Sequence, residues 1–261
     1  MEKRIAAITG ASAGLGSVFA RKLAARGYDL ILIARRKDRL DALAAAVSRE
    51  HGAAAEVIAA DLTNFEDIDA VAARLAAEPR LALLVNNAGF GTKKRFWEAP
   101  IEGQIEMHRL HIDATMRLTH AVLGPMVSRN EGAVINVSSV AAFIRGAANV
   151  SYCSTKSWMS VFTETLSLEL KETGVSVQAL CPGFTYTEFH DVMQLDRGLI
   201  PKWLWMDAEF VVEESLNALP SRKVFVIPGW KYRVFVAAIT KLPVWLRLKA
   251  EENSPQSKSR L

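Results

Sequence analysis

Seven apolar runs of strand length alternate along this chain with longer stretches of helical periodicity. The runs span residues 4–9, 29–34, 55–60, 81–86, 132–137, 175–181 and 223–227. Successive residues are apolar within a run, which is typical of strands covered by helices on both faces. The alternation predicts βαβ units and a parallel sheet. We therefore expect an α/β, Rossmann-type doubly wound fold with a seven-stranded parallel sheet, whose ligands bind at the carboxyl ends of the strands.

The 261 residues contain no linker that would divide them, so the sequence predicts a single domain. We expect a dinucleotide-binding domain over residues 1–230, including a substrate loop at 184–215, then an apolar and basic helix over 231–249 and a disordered tail over 250–261. A domain of this length that is 50% hydrophobic folds without disulfides or a structural metal. The two cysteines, Cys153 and Cys181, favour a reducing, cytoplasmic location. The histidines have no metal-ligand spacing, so we expect no metal.

The formal net charge of +4 is concentrated near the C-terminus. Residues 220–261 contain nine Lys or Arg and two Asp or Glu, and the remaining 23 basic and 26 acidic residues give 1–219 a net charge of −3. A nucleic-acid-binding domain would carry the basic excess itself, so we expect no nucleic-acid partner. Within 230–249 the basic residues interleave with apolar ones. That pattern favours a helix packed over the substrate site or a subunit edge, and an interfacial helix on an anionic membrane is the alternative.

A glycine-rich turn, Thr9-Gly10-Ala11-Ser12-Ala13-Gly14-Leu15-Gly16, follows the first predicted strand and opens the first helix. Small residues there allow a tight turn, and the helix N-terminus favours a pyrophosphate. The candidate cofactor-binding residues of this turn are Gly10, Ser12, Gly14, Leu15 and Gly16. The same letters match the G-x-S-x-G nucleophile elbow of α/β-hydrolases, with Ser12 as the nucleophile. A hydrolase needs an oxyanion donor from an earlier strand–helix loop. The glycine-rich turn already follows the first predicted strand, which disfavours this alternative.

The second predicted strand is followed by Arg35-Arg36-Lys37. In a dinucleotide-binding fold, an acidic residue in this region hydrogen-bonds the ribose 2′-hydroxyl of NAD, whereas an arginine accommodates the 2′-phosphate of NADP. The turn contains no acid, and a guanidinium suits a phosphate in both charge and geometry. We therefore expect NADP(H) to be preferred over NAD(H), with Arg35 as the selecting residue. For Arg36 and Lys37 a solvated helix start is the alternative.

Tyr152 and Lys156 are four residues apart near the start of a predicted helix, and therefore share one helix face. A phenol with a pKa of about 10 is a poor acid or base at neutral pH, and a neighbouring cation favours its phenolate form. Ser139 lies thirteen residues before Tyr152, at the end of the fifth predicted strand, where its hydroxyl could hydrogen-bond a substrate carbonyl. These three residues are the candidate catalytic groups.

Taken with the glycine-rich turn, these residues resemble the short-chain dehydrogenase/reductase family over residues 4–230. The resemblance also includes Asp61-Leu62, Asn86-Asn87-Ala88-Gly89, the Y-x-x-x-K pair, and Pro182-Gly183 followed by Thr187. It implies reversible hydride transfer between NADP(H) and a ketone, an aldehyde or a secondary alcohol. Tyr152 would move the proton, Ser139 would orient the oxygen and Lys156 would hold the nicotinamide ribose.

The resemblance further implies cofactor contacts and an oligomer. The residues that would contact the cofactor are Asp61, Leu62, Asn87, Gly89, Pro182, Gly183, Thr185 and Thr187. In the family, the long helices after the fourth and fifth strands form subunit interfaces, which implies a homodimer or a homotetramer.

His111 departs from the family pattern, because it aligns with an asparagine in the long helix after the fourth strand. In the family that asparagine supports a water-mediated proton relay to the lysine. Histidine can hold a water or pass a proton and titrates near neutrality. We expect His111 to serve the same relay, with a purely structural role as the alternative.

Large apolar side chains in the substrate loop predict an apolar or aromatic substrate and a lid that excludes water. The candidate substrate-binding residues are Phe90, Phe143, Phe184 and Phe189. A basic cluster at 93–95 keeps an acidic substrate as an alternative. A non-catalytic NADP(H)-binding regulator on the same fold is the alternative function, since a fold does not determine a function. The presence of both Tyr152 and Lys156 argues against it.

Overall fold

A parallel sheet forms the centre of the computed structural model, which describes residues 2–92, 94–189 and 200–252. The strands are β1 (Ile5–Thr9), β2 (Asp29–Ala34), β3 (Ala55–Ala59), β4 (Leu81–Asn86), β5 (Gly132–Val137), β6 (Val175–Leu180) and β7 (Phe225–Val226). Within the described residues they form a seven-stranded sheet in the order β3-β2-β1-β4-β5-β6-β7, and every pairing is parallel. The predicted Rossmann-type doubly wound fold is confirmed.

Helices cover both faces of this sheet. They are α1 (Gly14–Ala25), α2 (Lys37–His51), α3 (Phe65–Ala76), α4 (Ile101–His108), α5 (Thr115–Arg129), α6 (Val150–Glu169), α7 (Ala208–Ala218), α8 (Trp230–Lys241) and α9 (Val244–Glu252). Ile8 and Leu32 face a core shared with α1, α2 and α7, whereas Ala7 and Ile31 face a core shared with α3 and α5. Successive strand residues thus enter opposite cores, which explains why the strands are continuously apolar.

The strand order reverses at β1, which pairs with β2 on one side and with β4 on the other. In doubly wound sheets this reversal opens a crevice at the carboxyl ends of the strands. The glycine-rich turn follows β1 and Asn87 follows β4, so the topology brings these two distant parts of the sequence together at that crevice.

The substrate loop predicted over 184–215 is shorter than expected, because its last part folds as α7. Val211, Val212, Ser215 and Leu216 are buried at helical spacing, and α7 packs against α1. Of the remaining loop, residues 190–199 lie outside the described part of the chain.

The prediction of a single helix over 231–249 is wrong, because the chain forms two helices, α8 and α9, in this region. Pro243 lies between them and has no N–H to donate, and it restricts the residue before it. Leu242 accordingly has an extended backbone, with φ −76° and ψ 142°. Helix α9 continues to Glu252, beyond the start of the predicted tail, and residues 253–261 lie outside the described residues. None of the helices in the described part of the chain combines the length and the apolar character needed to span a bilayer.

Candidate active site

The glycine-rich turn forms a cradle between β1 and α1 that is too narrow for side chains. Gly10 has a φ of +67°, and a Cβ at this position would lie 2.8 Å from Asn87 Nδ2. A Cβ on Gly16 would collide with the carbonyl oxygen of Gly10. Asn87 Nδ2 donates hydrogen bonds across the turn to the carbonyl oxygens of Thr9 at 2.9 Å and Gly10 at 3.3 Å. The turn therefore presents main chain rather than side chains to the crevice.

The N-terminus of α1 faces the cavity beside this cradle. The helix begins at Gly14, and its N-cap residue, Ala13, provides no side-chain cap. The first-turn N–H groups and the positive end of the helix dipole therefore favour an anion here. Ser12, Gly14 and Leu15 line the cavity, whereas Gly16 lies beneath it against Gly10.

Two arginines line the cavity where β2 leads into α2. The Nε and Nη2 atoms of Arg36 donate hydrogen bonds to Ser12 Oγ at 3.2 and 3.1 Å. Arg35 is largely exposed, and its Nη1 lies 3.8 Å from Asp61 Oδ2. Arg36, which the sequence left as a solvated alternative, therefore makes the closer contact with the glycine-rich turn. Since Ser12 is bound to a guanidinium, which cannot act as a general base, its surroundings do not suit a hydrolase nucleophile.

Tyr152, Lys156 and Ser139 line this same cavity. Helix α6 carries the first two, and Lys156 Nζ lies 5.9 Å from the centre of the Tyr152 ring. Lys156 Nζ also donates a hydrogen bond of 2.7 Å to the carbonyl oxygen of Val137. Burial lowers the pKa of Lys156 to about 7, so its amine can exchange protons near neutral pH. Ser139 Oγ accepts a hydrogen bond from Ala141 N–H at 3.1 Å, which fixes the hydroxyl at the end of β5.

His111 lies in a six-residue π-helical segment, Arg109–Ala114, that joins α4 to α5. Its buried ring accepts a hydrogen bond at Nε2 from Phe90 N–H at 3.2 Å, and Nδ1 lies 2.9 Å from Thr155 Oγ1. Because Nε2 is the acceptor, we assign the proton of the neutral ring to Nδ1. Burial, and then the charge of Lys156, hold the pKa of His111 well below its usual range. This environment favours the neutral form of the ring, and its relay role stays a prediction.

Known proteins share both the sequence and the fold of this chain. Residues 4–197 match the family described as short chain dehydrogenase. This chain belongs to that family. The very-long-chain 3-oxoacyl-CoA reductase of Bos taurus is 28% identical over 94% of this chain and 77% of that protein. A short-chain dehydrogenase from Sphingobium yanoikuyae in complex with NADPH is 33% identical, with a TM-score of 0.85 and 96% of each chain covered. The bulky-bulky ketone specific alcohol dehydrogenase from Comamonas testosteroni is 28% identical, with a TM-score of 0.79 over 94% of this chain and 96% of that one.

As a short-chain dehydrogenase, the protein is an oxidoreductase whose fold binds a nicotinamide cofactor and small-molecule substrates. The cofactor-binding residues implied by the family line a single cavity of about 810 Å³, together with the glycine-rich turn: Asp61, Leu62, Asn87, Gly89, Pro182, Gly183, Thr185 and Thr187. Thr185 and Thr187 follow β6, and their hydroxyls donate to the carbonyl oxygens of Gly183 and Thr185 at 3.1 and 3.5 Å. Among the residues that the structure describes, no group of His, Cys, Asp and Glu side chains is arranged to hold a metal ion.

The substrate end of the dehydrogenase cavity is aromatic. Three of the four candidate phenylalanines line it: Phe90, Phe184 and Phe189. The Phe189 ring lies 5.8 Å from the Tyr152 ring. Phe143 is not among the described residues that line the cavity, and its role in substrate binding stays a prediction. Its ring packs edge-on against Phe225 at 5.9 Å, in a small core beneath α8 that also contains Tyr232 and Val236.

Helix α8 contributes four residues to the cavity that were not predicted from the sequence: Lys231, Tyr232, Phe235 and Ile239. Tyr232 Oη accepts a hydrogen bond from Phe184 N–H at 3.0 Å and donates one to the carbonyl oxygen of Leu204 at 2.7 Å. Gly183 makes room for the Tyr232 ring, since a Cβ there would collide with it. The sequence signal that could have located this face of α8 is the helical spacing of Tyr232, Val236 and Ile239, which form its buried face.

Proposed function

We propose that this short-chain dehydrogenase is an NADP(H)-dependent carbonyl reductase or alcohol dehydrogenase that acts on apolar or aromatic substrates. One observation carries the proposal: a single cavity contains the Tyr152–Lys156 pair, Ser139 and two arginines beside the glycine-rich turn. The first three residues suit proton transfer to a carbonyl oxygen, and the arginines suit a phosphate group. The presence of both groups in one cavity favours an enzyme over a non-catalytic NADP(H)-binding regulator.

The residues of the cavity fit a dinucleotide phosphate. A Cβ at Gly10 or Gly16 would fill the cradle where the main chain must approach the pyrophosphate. The uncapped N-terminus of α1 provides N–H groups for the same anion. Arg35 and Arg36 stand at the position where a 2′-phosphate distinguishes NADP(H) from NAD(H). The Sphingobium yanoikuyae relative, whose structure contains NADPH, supports this preference.

In this proposal the nicotinamide supplies or accepts the hydride when it is bound. Tyr152 donates a proton to the carbonyl oxygen in reduction and takes it back in oxidation. Ser139 orients that oxygen through its hydroxyl, which Ala141 N–H holds in place. Lys156, with a pKa lowered by burial to about 7, exchanges protons near the pH at which the enzyme would work. His111 supports the nearby chain through Phe90 N–H and the Thr155 hydroxyl.

The lining of the substrate end supports a bulky, apolar carbonyl compound. Its walls consist of apolar side chains, which bind apolar groups by removing their surface from water. These side chains are Phe90, Phe184, Phe189, Leu204 and Phe235. The ketone named for the Comamonas testosteroni relative agrees with this choice. An extended 3-oxoacyl group, as named for the Bos taurus relative, is the second candidate, because Lys231 at the cavity lining can attract an anionic carrier.

The decisive experiment measures NADPH and NADH binding by fluorescence and then follows nicotinamide absorbance with a panel of carbonyl compounds. The panel contains bulky aryl ketones, 3-oxoacyl thioesters and keto acids. We expect tighter NADPH binding and turnover of the neutral ketones. Tyr152→Phe should bind NADPH as the wild type does and lose most of its turnover, because it removes only the phenol hydroxyl, which supplies the proton. Tyr28→Phe is the matched control, since Tyr28 packs beneath Arg4 at 5.1 Å and is not among the described cavity residues.

Preference for NADH would overturn the cofactor assignment. Substantial turnover by Tyr152→Phe would overturn the role of the phenol. NADPH binding by the wild type without turnover of any compound in the panel would favour the regulator.

The proposal also includes a cytoplasmic homodimer or homotetramer. Helices α4, α5 and α6 expose large apolar side chains that a subunit interface would cover: Ile105 on α4, Met116 on α5, and Val161 and Leu168 on α6. These are the helices after β4 and β5 that form interfaces in the family.

A further inference from the structure

Glu188, in the predicted substrate loop, contacts two arginines near the start of α2, Arg36 and Arg39. Arg39 Nη1 lies 2.9 Å from both carboxylate oxygens of Glu188, and Arg36 Nη1 lies 3.3 Å from Oε2. Arg36 simultaneously binds Ser12 in the glycine-rich turn. The Glu188 carboxylate therefore lies between two guanidinium groups, at the end of the cavity where β2 meets α2.

Arg36 lines the cavity beside Arg35, and Arg39 lies next to Arg36 through their shared Glu188 partner, so a 2′-phosphate bound at the end of β2 would meet these guanidinium groups. A guanidinium binds carboxylate and phosphate through the same forked geometry, so one anion can replace the other. A phosphate monoester carries about two negative charges near neutral pH and a carboxylate carries one, so the phosphate is the stronger competitor. Arg36, Arg39 and Glu188 are all about half exposed, which leaves the pair accessible to exchange.

We propose that Glu188 is a built-in competitor of the cofactor 2′-phosphate and thereby sets the ratio of NADPH to NADH affinity. The inference rests on the proposed NADP(H) preference. When NADPH binds, its 2′-phosphate takes Arg36 and Arg39 and displaces the Glu188 carboxylate. NADH has no 2′-phosphate, so Glu188 keeps its arginine partners when NADH binds. The carboxylate thus reduces NADPH affinity and leaves NADH affinity unchanged.

The position of Glu188 also connects this exchange to the catalytic centre. Its neighbour Thr187 lies against the start of α1, where a Cβ on Gly14 would be 3.3 Å from Thr187 Cβ. Its other neighbour, Phe189, has its ring 5.8 Å from the Tyr152 ring. Glu188 therefore lies in the short segment that joins the cofactor cradle to the ring packed near Tyr152.

The test compares dissociation constants in Glu188→Gln and in the wild type, with the full chain at low ionic strength. The probes are NADPH, NADH, 2′,5′-ADP and 5′-AMP, since the second pair isolates the 2′-phosphate from the nicotinamide. We expect Glu188→Gln to tighten NADPH and 2′,5′-ADP binding roughly threefold to fivefold, as removal of a half-exposed ion pair allows. NADH and 5′-AMP should bind as they do to the wild type. The gain should shrink at high salt, because screening weakens exposed charge pairs.

Two further variants separate competition from a general change of charge. Glu213→Gln is the matched control, because Glu213 also lies between two basic side chains, 3.0 Å from Lys22 Nζ and 2.6 Å from Arg26 Nη2. It should leave all four dissociation constants unchanged. In an Arg39→Gln background, NADPH should bind more weakly and Glu188→Gln should produce a smaller gain.

Equal NADPH affinity in Glu188→Gln and the wild type, with NADPH still preferred over NADH, would overturn this inference alone. A wild-type preference for NADH would instead overturn the proposed function on which the inference rests. An equal gain for NADPH and NADH, or a matching gain in Glu213→Gln, would show that net charge rather than competition changed the affinity.

Discussion

Replacing Lys156 with methionine tests how far the buried amine opposes folding. Burial lowers the pKa of Lys156 from 10.5 to about 7, so the unfolded chain binds a proton that the folded protein releases between these pH values. A group of this kind destabilises the folded state fully below pH 7, and the penalty disappears as the pH rises towards 10.5. One pKa unit corresponds to about 1.4 kcal/mol, so the penalty is about 5 kcal/mol at pH 6 and about 2 kcal/mol at pH 9.

Methionine retains the length of the side chain without its charge but loses the hydrogen bond to the Val137 carbonyl oxygen. That loss costs about 1 to 3 kcal/mol, because the carbonyl group remains buried. We therefore expect Lys156→Met to be more stable than the wild type by about 2 to 4 kcal/mol at pH 6. The advantage should fall by roughly 2 to 3 kcal/mol between pH 6 and pH 9. The variant should also lose turnover.

The assay is urea unfolding followed by tryptophan fluorescence at pH 6, 7, 8 and 9, at one protein concentration. Lys22→Met is the control, because Lys22 Nζ lies 3.0 Å from Glu209 and from Glu213. These partners raise the pKa of Lys22, so its stabilising contribution stays constant over this pH range. Lys22→Met should therefore lower stability by the same amount at each pH. A difference between Lys156→Met and the wild type that does not change with pH would refute the reasoning.

Four more predictions concern the site and the outer surface. A Cβ on Gly89 would lie 2.7 Å from His111 Nε2, so Gly89→Ala should destabilise the protein by about 1 to 3 kcal/mol in urea unfolding, and by less in a His111→Ala background. His111→Ala itself should lower turnover well beyond its effect on cofactor binding, and unchanged turnover across pH 6–9 would contradict a relay role. Because α8 packs on the cavity and α4, α5 and α6 expose apolar groups, analytical ultracentrifugation should show a homo-oligomer without lipid. The full chain should not sediment with anionic vesicles; sedimentation that is lost when the exposed Val244, Trp245 and Leu248 are changed to serine would establish the interfacial alternative.

The positions of the strands and the placement of Tyr152 and Lys156 on one helix could be predicted because each depends on local sequence. The bounds of β2, β4 and β5 agree with the predicted runs, since strands buried on both faces are continuously apolar. Tyr152 and Lys156 share a helix face through their spacing alone.

Contacts between distant parts of the chain could not be predicted. Glu188 is 149 residues from Arg39, and no local pattern indicates that the two side chains meet. Phe143 was a candidate substrate-binding residue, but its ring packs against Phe225, which is 82 positions further along the chain. The length of the substrate loop was overestimated because its apolar composition hid the helical spacing of the residues buried in α7.

Tyr232 and a short backbone bridge close the base of the predicted substrate loop. Thr185 pairs with Met206, Tyr186 N–H donates to the Met206 carbonyl oxygen at 3.0 Å, and Met206 N–H donates to that of Phe184 at 2.9 Å. The chain between these fixed ends begins with Thr187, Glu188 and Phe189, which line the cavity. Loops with anchored ends tolerate changes of length and sequence, but exchanging this one between relatives should alter cofactor binding together with substrate choice.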